Sequence, residues 1–379
     1  MKKVLFVATV VKTHIMEFHI PYLKMFKEMG WETAVAARND YENPTDCVIP
    51  YCDAYYNTPF ERNPLKPGNL KAYTKLKKVI DAGGYDIIHC HTPVGAMLTR
   101  LAAKQARKNG TKVFYTAHGF HFYKGAPAIN WLLYYPVEKW LSRYTDVLIT
   151  INKEDYERAK TFKAGRVCYV PGVGIDLKKF ATSDELHKEK RSWLCKEFDI
   201  PEDAMILLSV GEVNKNKNHR VVIEALGKLK RKDIYYVICG RGPLRDAYVS
   251  LAEQLNIGKQ VILTGYRTDV ADFYKAADVF VFPSFREGLP VSVMEAMASG
   301  LPIIATSIRG SSDIVKESIN GKLLKPDDVD GFANVIEAFR NKELLNSIAK
   351  TNAQEAGKYD LNAVIKLYQE AYFAEGDGK

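Results

Sequence analysis

Two glutamates, Glu287 and Glu295, have seven residues between them and an apolar run just before them. The pattern predicts a strand that ends near Phe282, a turn that carries Glu287 and a helix that carries Glu295. Because the N-terminus of a helix attracts anions, a phosphate group could bind there. Glu287 would accept hydrogen bonds from a neutral, hydroxyl-rich group beside the phosphate. Glu295 lies about two turns along the helix and would accept hydrogen bonds from a vicinal diol such as ribose. The amides expected to bind the phosphate are those of Gly288, Leu289 and Val291.

Such a turn needs a rigid frame, and the chain alternates short apolar runs with amphipathic stretches almost from end to end. This alternation is typical of βαβ units and parallel sheets, which bind ligands at the carboxyl ends of their strands. The strands predicted in the first half are Val4–Val11, Thr33–Ala37, Asp86–Cys90, Lys112–Thr116, Val147–Ile151 and Val167–Val170. Those predicted in the second half are Met205–Val210, Tyr235–Cys239, Val261–Leu263, Val279–Phe282 and Ile303–Ala305.

A turn-rich, charged stretch from Pro171 to Pro201 interrupts the alternation. We place a domain boundary in it, near residue 180, since a length of 379 residues favours two domains over one. Residues 1–180 and residues 181–359 are therefore predicted to form two doubly wound, Rossmann-like α/β domains that face a central cleft.

The composition is that of a folded globular chain, and its charge is unevenly spread. Apolar residues make up 47% and charged residues 26%, which excludes a disordered or fibrous protein. The net charge is +9; residues up to 180 hold 27 Lys and Arg against 16 Asp and Glu, whereas the rest hold 27 against 29. The basic half is either a solvated face or suits an anionic partner, such as a phosphate-bearing substrate or an anionic membrane. Nucleic acid is disfavoured, because the basic residues are dispersed rather than clustered with stacking aromatics.

The sequence favours a cytoplasmic protein without a membrane span. The run Val4–Val11 is interpreted as a strand rather than a signal peptide, because Lys12 ends it and no small-residue cleavage site follows. No apolar run approaches the roughly 20 residues of a spanning helix. The six cysteines lack the close pairing of structural zinc sites, and we expect reduced thiols.

The segment with the two glutamates resembles the E-x(7)-E motif of the family 4 retaining glycosyltransferases of GT-B fold. Other segments of the second half resemble that family in order and spacing. They are a glycine-rich loop that starts at Gly211 and includes Lys217, the turn Gly240–Leu244, and a nucleobase loop at Leu263–Val270.

The first half and the C-terminus carry further points of resemblance. Thr116–Gly119 resembles the histidine segment near the transferred sugar, and Pro171–Phe180 resembles the segment that closes the first domain. The last helical stretch, about Leu361 to Phe373, resembles the family's tail that crosses back to the first domain. Residues 360–379 are therefore assigned to that tail.

The resemblance implies a metal-independent retaining glycosyltransferase without a cofactor. It would move a hexose or N-acetylhexosamine from a nucleotide sugar, UDP-linked in our interpretation, to a saccharide acceptor. It implies front-face attack, in which the leaving phosphate oxygen takes the acceptor proton while Glu287 and His118 hold the sugar hydroxyls. The residues expected to bind the donor are Lys217, Gly211, Arg241, Gly242, Tyr266, Arg267, Gly288, Leu289, Val291 and Glu295.

The acceptor is a hypothesis about the basic half. A polyprenyl-diphosphate-linked oligosaccharide at the inner membrane leaflet would explain the positive charge and the aromatic stretch from Gly119 to Arg143. That stretch has basic residues at its edges, so it lies either at a membrane interface or in the core. This acceptor indicates capsule or exopolysaccharide assembly, with peripheral attachment to the membrane.

The chain departs from the family pattern at two places. Glu212 stands where the donor loop usually has an arginine, so Lys217 is expected to bind the donor phosphates, helped by Lys215 or Arg241. The segment Lys12-Thr13-His14 replaces a glycine pair that normally approaches the phosphates, and side chains or the Thr13 backbone are expected to act there instead.

The remaining candidate histidines are interpreted as structural. They are His14, His19, His89, His91 and His121. Alternate residues of a strand point to opposite faces, and on that ground we expect no shared metal ligand set from His89 and His91.

Two other functions stay open. One is a nucleotide-sugar 2-epimerase on the same fold, which would need acid and base carboxylates that we do not find in the first half. The other is a non-catalytic nucleotide-sugar-binding protein.

Overall fold

The computed structural model describes residues 1–317 and 319–374, which form two compact units. The first unit contains Met1–Val173 and the segment that begins at Ile365, and the second contains Gly174–Val364. The chain passes from one unit to the other after Val173 and after Val364, whereas the sequence placed the limits at residues 180 and 359.

Each unit is built on one parallel β-sheet. The first sheet has the strand order β3-β2-β1-β4-β5-β6-β7 and the second the order β10-β9-β8-β11-β12-β13. Every strand pair is parallel. The strands are β1 Lys3–Val10, β2 Glu32–Arg38, β3 Ala54–Asn57, β4 Ile87–His91, β5 Lys112–Ala117, β6 Val147–Thr150, β7 Arg166–Tyr169, β8 Met205–Val210, β9 Ile234–Cys239, β10 Val261–Gly265, β11 Val279–Phe282, β12 Ile303–Thr306 and β13 Gly321–Leu324.

Helices connect the strands, and the prediction of two doubly wound α/β domains is confirmed. A π-helical turn, Val11–Ile15, follows β1 directly. The α-helices are α1 Met16–Phe18, α2 Ile20–Glu28, α3 Gly68–Gly83, α4 Pro93–Ala102, α5 Lys104–Lys108, α6 Ala128–Leu141, α7 Lys153–Ala159, α8 Leu177–Phe180, α9 Asp184–Phe198, α10 His219–Leu229, α11 Arg245–Gln254, α12 Val270–Ala276, α13 Val291–Ala298, α14 Ser311–Ile314, α15 Val329–Ala338, α16 Lys342–Glu355 and α17 Leu361–Phe373.

Two strands were not predicted, β3 and β13, and both lie at the edge of a sheet. Central strands such as β1 and β8 are almost wholly buried and therefore show as continuous apolar runs. The residues of β3 are intermediate or exposed, and only the first residue of β13 is buried. Their sequences, Ala-Tyr-Tyr-Asn and Gly-Lys-Leu-Leu, consequently contain too short an apolar run to signal a strand.

The stretch from Pro171 to Pro201 is more helical than expected from its charge. It contains α9, whose first turn is capped by Ser183: the Oγ of Ser183 accepts from the amide of Leu186 at 3.3 Å. Asp184 and Glu185 lie in that first turn, where negative charge favours a helix N-terminus. The helix ends at Phe198, and the next residue, Asp199, has a left-handed backbone with φ of 53°.

Helix α17 belongs to both units. Its first turn lies in the second unit, where the amide of Leu361 donates to the carbonyl of Ile175 at 2.9 Å. From Ile365 onward it belongs to the first unit, where Tyr368 packs edge-on against Tyr22 with ring centroids 4.7 Å apart.

Within residues 1–317 and 319–374, no helix combines the length and the apolar character needed to cross a bilayer. All six cysteines are free thiols.

Candidate active site

The two predicted charged residues Lys217 and Glu287 form an ion pair at the carboxyl ends of two central strands of the second sheet. Glu287 follows β11 and Lys217 follows β8, and these strands are neighbours in the sheet. The Nζ of Lys217 donates to Oε1 of Glu287 at 2.8 Å, and both side chains are about four-fifths buried, with exposures of 21% and 18%. The strand order reverses between β8 and β11, which is where open α/β sheets bind ligands.

Backbone and amide contacts hold the two loops together. The amide of Phe285 donates to the carbonyl of Asn216 at 2.8 Å, and the side-chain amide of Asn216 donates to the carbonyl of Arg286 at 3.0 Å. Asn218, buried in a left-handed conformation at the start of α10, donates to the carbonyl of Pro283 at 3.0 Å. The position of Lys217 relative to Glu287 is therefore fixed by these contacts between the two loops as well as by the ion pair.

Helix α13 carries Glu295 and begins at Val291, directly after Gly288-Leu289-Pro290. The hydroxyl of Tyr274 in α12 donates to Oε2 of Glu295 at 2.9 Å. Burial and the nearby Glu295 carboxylate raise the pKa of Tyr274 well above its ordinary value, so this hydroxyl stays a donor. The side chain of Glu295 is therefore oriented by a buried tyrosine.

Arg309 is a cationic residue of this region that the sequence analysis missed. It follows β12, and its Nε donates to the main-chain carbonyl of Glu287 at 3.3 Å. The next residue, Gly310, has φ of +84° and lies so close to Gly288 that a Cβ there would be 2.3 Å from the Gly288 carbonyl oxygen. The signal available in the sequence was an Arg-Gly pair after a buried strand, which has no fixed spacing from the glutamates.

The glycine-rich loops after β8 and β9 pack against each other. A Cβ on Gly242 would lie 2.2 Å from the carbonyl oxygen of Val213, so glycine is required there by the close approach of two backbones. Gly211 has φ of +155°, and its missing side chain leaves room beside the Lys217 methylenes. Arg241 is exposed and lies over the ring of Tyr266, at 5.5 Å from the centroid, and Tyr266 is also exposed.

Arg267 and Glu212 are held by neighbours in the second unit. The guanidinium of Arg267 bonds to Asp269 at 2.6 and 2.8 Å and to Glu197 of α9 at 2.9 Å. The assignment of Arg267 to donor binding stays a prediction. In the structure its contacts join α9 to the loop after β10. The carboxylate of Glu212 accepts from the side-chain amide of Asn214 at 2.6 Å.

His118 follows β5 in the first unit, in a cluster with other histidines. Its Nε2 is 3.3 Å from Nδ1 of His91, and its ring centroid is 5.2 Å from that of His14. Burial lowers the pKa of His118 to about 4, so the imidazole is neutral near pH 7. That His118 contacts the transferred sugar stays a prediction.

For His89 and His91 the reason given was wrong, whereas the expectation that they share no metal ligand set stays a prediction. Residues two apart on a strand share one face, and the two rings lie on the same side of β4 with centroids 4.1 Å apart. Both ring nitrogens of His89 are hydrogen-bonded, one to the hydroxyl of Tyr372 and the other to that of Thr116. His91 instead points one nitrogen towards His118.

Two family models and a close relative match the sequence of this chain. Residues 194–356 match the family model "Glycosyl transferases group 1", and residues 3–152 match "Glycosyl transferase 4-like". The Bacillus subtilis (strain 168) protein EpsD, whose name places it among the glycosyltransferases, is 44% identical over 381 residues, covering 99% of this chain and 97% of EpsD. The chain belongs to the family 4 glycosyltransferases of GT-B fold.

A second relative and a solved structure extend the comparison of this glycosyltransferase. The Escherichia coli UDP-Gal:alpha-D-GlcNAc-diphosphoundecaprenol alpha-1,3-galactosyltransferase is 29% identical over 314 residues, covering 81% of this chain and 79% of that protein. The crystal structure of Anabaena Alr3699/HepE in complex with UDP and glucose superposes with a TM-score of 0.80 at 17% identity, covering 99% of this chain and 100% of that one. The latter likeness establishes the shared fold.

Proposed function

We propose that this glycosyltransferase moves a hexose or N-acetylhexosamine from a UDP-sugar to a saccharide on a polyprenyl diphosphate, with retention at the anomeric carbon. The observation that carries the donor site is the Lys217–Glu287 pair, at the point where the strand order of the second sheet reverses. The names of two similar proteins support the substrates: one uses UDP-Gal and a diphosphoundecaprenol-linked acceptor, and the other was crystallised with UDP and glucose. Assembly of a cell-surface polysaccharide at the cytoplasmic membrane face is the pathway that we propose.

The donor diphosphate would be stabilised by positive charge from the protein. Lys217 is the first source, the main-chain amides that precede α13 are the second, and Arg309 is the third. Such preorganised groups stabilise charge that develops on a leaving group. With these groups available, our proposal needs no metal ion at the donor diphosphate.

The two glutamates would bind the neutral parts of the donor. Glu287, paired with Lys217, is suited to accept hydrogen bonds from hydroxyls of the transferred sugar beside the diphosphate. Glu295, oriented by Tyr274, is suited to accept from the ribose hydroxyls. Front-face attack, with the acceptor proton passing to the leaving phosphate oxygen, would retain the anomeric configuration.

Nucleotide release tests the donor site. Purified enzyme is incubated with UDP-sugars and GDP-sugars without added metal, and free UDP or GDP is assayed. We expect slow release from a UDP-sugar, lowered about 100-fold or more in Glu287→Gln, because one charge-assisted contact to the reacting sugar is lost. Glu224→Gln is the matched control, since Glu224 forms an i,i+4 pair with Arg220 on α10 at 2.7 Å.

Full activity of Glu287→Gln would contradict the site assignment. Isomerisation of a UDP-sugar without release would favour the epimerase instead. When the acceptor is supplied, the anomeric configuration of the product, measured by NMR, tests retention.

Helix α6 presents an unpartnered apolar face in the first unit. Exposed side chains recur every three or four residues along it, so they form one stripe. They are Ile129, Leu132, Leu133, Val137 and Trp140. The opposite side of α6, with Trp131, Tyr134 and Tyr135, packs on the core of the unit. The aromatic rings thus serve the core, while the aliphatic side chains and Trp140 are left outside.

We propose that this apolar face of α6 enters the headgroup region of an anionic bilayer, where a lipid-linked acceptor is found. Basic groups border the stripe: the Nζ of Lys104 lies 5.5 Å from the Trp140 ring centroid, and Arg143 is exposed just beyond the helix. Apolar side chains bordered by basic ones are typical of helices that lie in a membrane interface. The excess of positive charge in the first half of the sequence favours the same partner.

Co-sedimentation with vesicles tests this surface. We expect binding to phosphatidylglycerol-containing vesicles at low salt, release at high salt, and little binding to phosphatidylcholine alone. A Leu132→Glu/Leu133→Glu variant should bind at least about tenfold more weakly, because two side chains can no longer be buried. Leu70→Glu, at an exposed leucine of α3 in the same unit, is the control and should bind normally. Equal binding by both variants would contradict the proposal.

A further inference from the structure

Four histidines converge at the carboxyl edge of the first sheet. His14 lies in the π-helical turn after β1, and His19 lies between α1 and α2. His91 is the last residue of β4, and His118 follows β5. The strands β1, β4 and β5 are neighbours, so four side chains distant in sequence meet at the edge where parallel sheets bind ligands.

The spacing of these four imidazoles fits a metal ion. One ring nitrogen from each can be chosen so that all four lie within 4.8 Å of one another. Nδ1 of His91 and Nε2 of His118 are 3.3 Å apart, which is long for a hydrogen bond. It equals the separation of about 3.3 Å between two nitrogens that each lie about 2.0 Å from a tetrahedral zinc ion. The widest pair needs to approach by up to about 1.5 Å, which side-chain rotation can supply.

Several nitrogens of the cluster are buried without a partner. Among residues 1–317 and 319–374, both nitrogens of His19 and Nε2 of His14 find no hydrogen-bond partner, although His19 is only 2% exposed. A buried polar group left unsatisfied destabilises the fold, so a ligand for these nitrogens is expected. His89 beside them differs, because both of its nitrogens are bonded.

We propose that His14, His19, His91 and His118 bind one divalent transition-metal ion of the zinc type. Neutral imidazole nitrogens are preferred ligands of such ions, whereas magnesium and calcium prefer oxygen. All four histidines belong to the first unit, whereas Lys217 and Glu287 belong to the second.

Metal content tests the proposal without an activity assay. The full-length protein is incubated with Zn²⁺, passed through a desalting column, and its zinc content is measured by elemental analysis. We expect one zinc ion per chain, falling to near zero in His14→Ala and in His91→Gln, since each removes a ligand. The control is His121→Ala, because His121 stacks on Tyr134 with centroids 4.7 Å apart, outside the cluster.

Cobalt provides a second readout, on the coordination itself. Co²⁺ bound by four nitrogens in a tetrahedral site should give intense visible absorption, which Zn²⁺ displaces and which His14→Ala lacks. His14 lies in a partly exposed turn, and circular dichroism of the metal-free variant should match that of the parent. Zinc content unchanged in both ligand variants, or no metal retained by the parent protein, would overturn the proposal.

Discussion

At the scale of single residues, the donor site depends on side chains that hold other side chains in place. Tyr274 is fully buried, packs edge-on against Phe180 with ring centroids 5.6 Å apart, and donates to Glu295. Its contribution to the proposed ribose contact is therefore indirect, through the position of the Glu295 carboxylate.

Replacing Tyr274 by Phe should impair donor binding more than turnover. The ring packing is kept, but Glu295 loses a hydrogen bond worth about 1 kcal/mol, so we expect KM for the UDP-sugar to rise about three- to tenfold. The value of kcat should change by less than about twofold, because Glu295 is not at the reacting bond in our proposal. Steady-state kinetics with varied donor measure both values.

Tyr236→Phe is the control for loss of a buried tyrosine hydroxyl in the same unit. That hydroxyl bonds to Ser209 at 2.7 Å and to His219 at 2.9 Å and does not contact Glu295. An equal rise in KM in both variants would mean that Tyr274 acts through general stability.

The residues that the sequence brought together correctly lie in segments that resemble motifs of one family. Lys217 and Glu287 were predicted to act at one site, and the structure brings them to 2.8 Å. Arg309 and the histidine cluster were not predicted, because their proximity depends on strand order, which local spacing does not encode. The error at His89 and His91 was of another kind, a misassigned strand face that the period of two already excludes.

At the scale of elements, helix α6 is anchored by a buried ion pair. Arg100 of α4 is 1% exposed and bonds Glu138 of α6 through both terminal nitrogens, at 2.9 and 3.1 Å. Its guanidinium also lies over the ring of Tyr115, 4.3 Å from the centroid. This contact fixes how α6 lies on the unit and therefore which of its faces is exposed.

Glu138→Gln should destabilise the first unit substantially. It leaves the Arg100 charge buried without its partner, and we expect a loss of about 2–4 kcal/mol in the free energy of unfolding, less than for a fully dry pair because Glu138 keeps some contact with water. In a Trp193→Phe background the three remaining tryptophans all belong to the first unit. Urea unfolding followed by their fluorescence therefore reports on that unit alone.

Asp81→Asn serves as the comparison, since Asp81 pairs with Lys77 on α3 at 2.7 Å with both side chains about two-fifths exposed. That change should stay within about 0.5 kcal/mol. Similar losses from both substitutions would contradict the importance of burial for the Arg100–Glu138 pair.

Strands and helices were predicted well where their burial gives them a recognisable apolar sequence. Central strands such as β8 and β11 are almost entirely apolar because helices cover both faces of a parallel sheet. The half-buried edge strands β3 and β13 lack that signal, and α9 was hidden by its charge, since only Leu194 and Cys195 of its fifteen residues are buried. For α6 the sequence left core and surface open, and the structure assigns each to a different side of the helix.

At the scale of the whole molecule, the chain builds two sheets of the same doubly wound kind and then returns to the first with α17. The common strand order places both candidate sites by one rule, at the carboxyl ends of the strands beside the point of reversal, between β1 and β4 and between β8 and β11. Each compact unit has its own sheet with one such reversal. This explains why the chain has two candidate sites, one with histidines and one with Lys217 and Glu287.

The return of α17 completes the core of the first unit, and Tyr372→Ala should reveal how much that unit depends on it. Tyr372 is 7% exposed, and its ring lies 5.0 Å from those of Phe26 and Phe114. Truncating such an aromatic side chain costs about 3–5 kcal/mol, and we expect a loss of that size in the urea unfolding of the first unit. Phe373→Ala, at the adjacent but 39% exposed position, should cost less than about 1 kcal/mol. If Tyr372→Ala were as mild as Phe373→Ala, the end of α17 would be a surface attachment rather than part of the core.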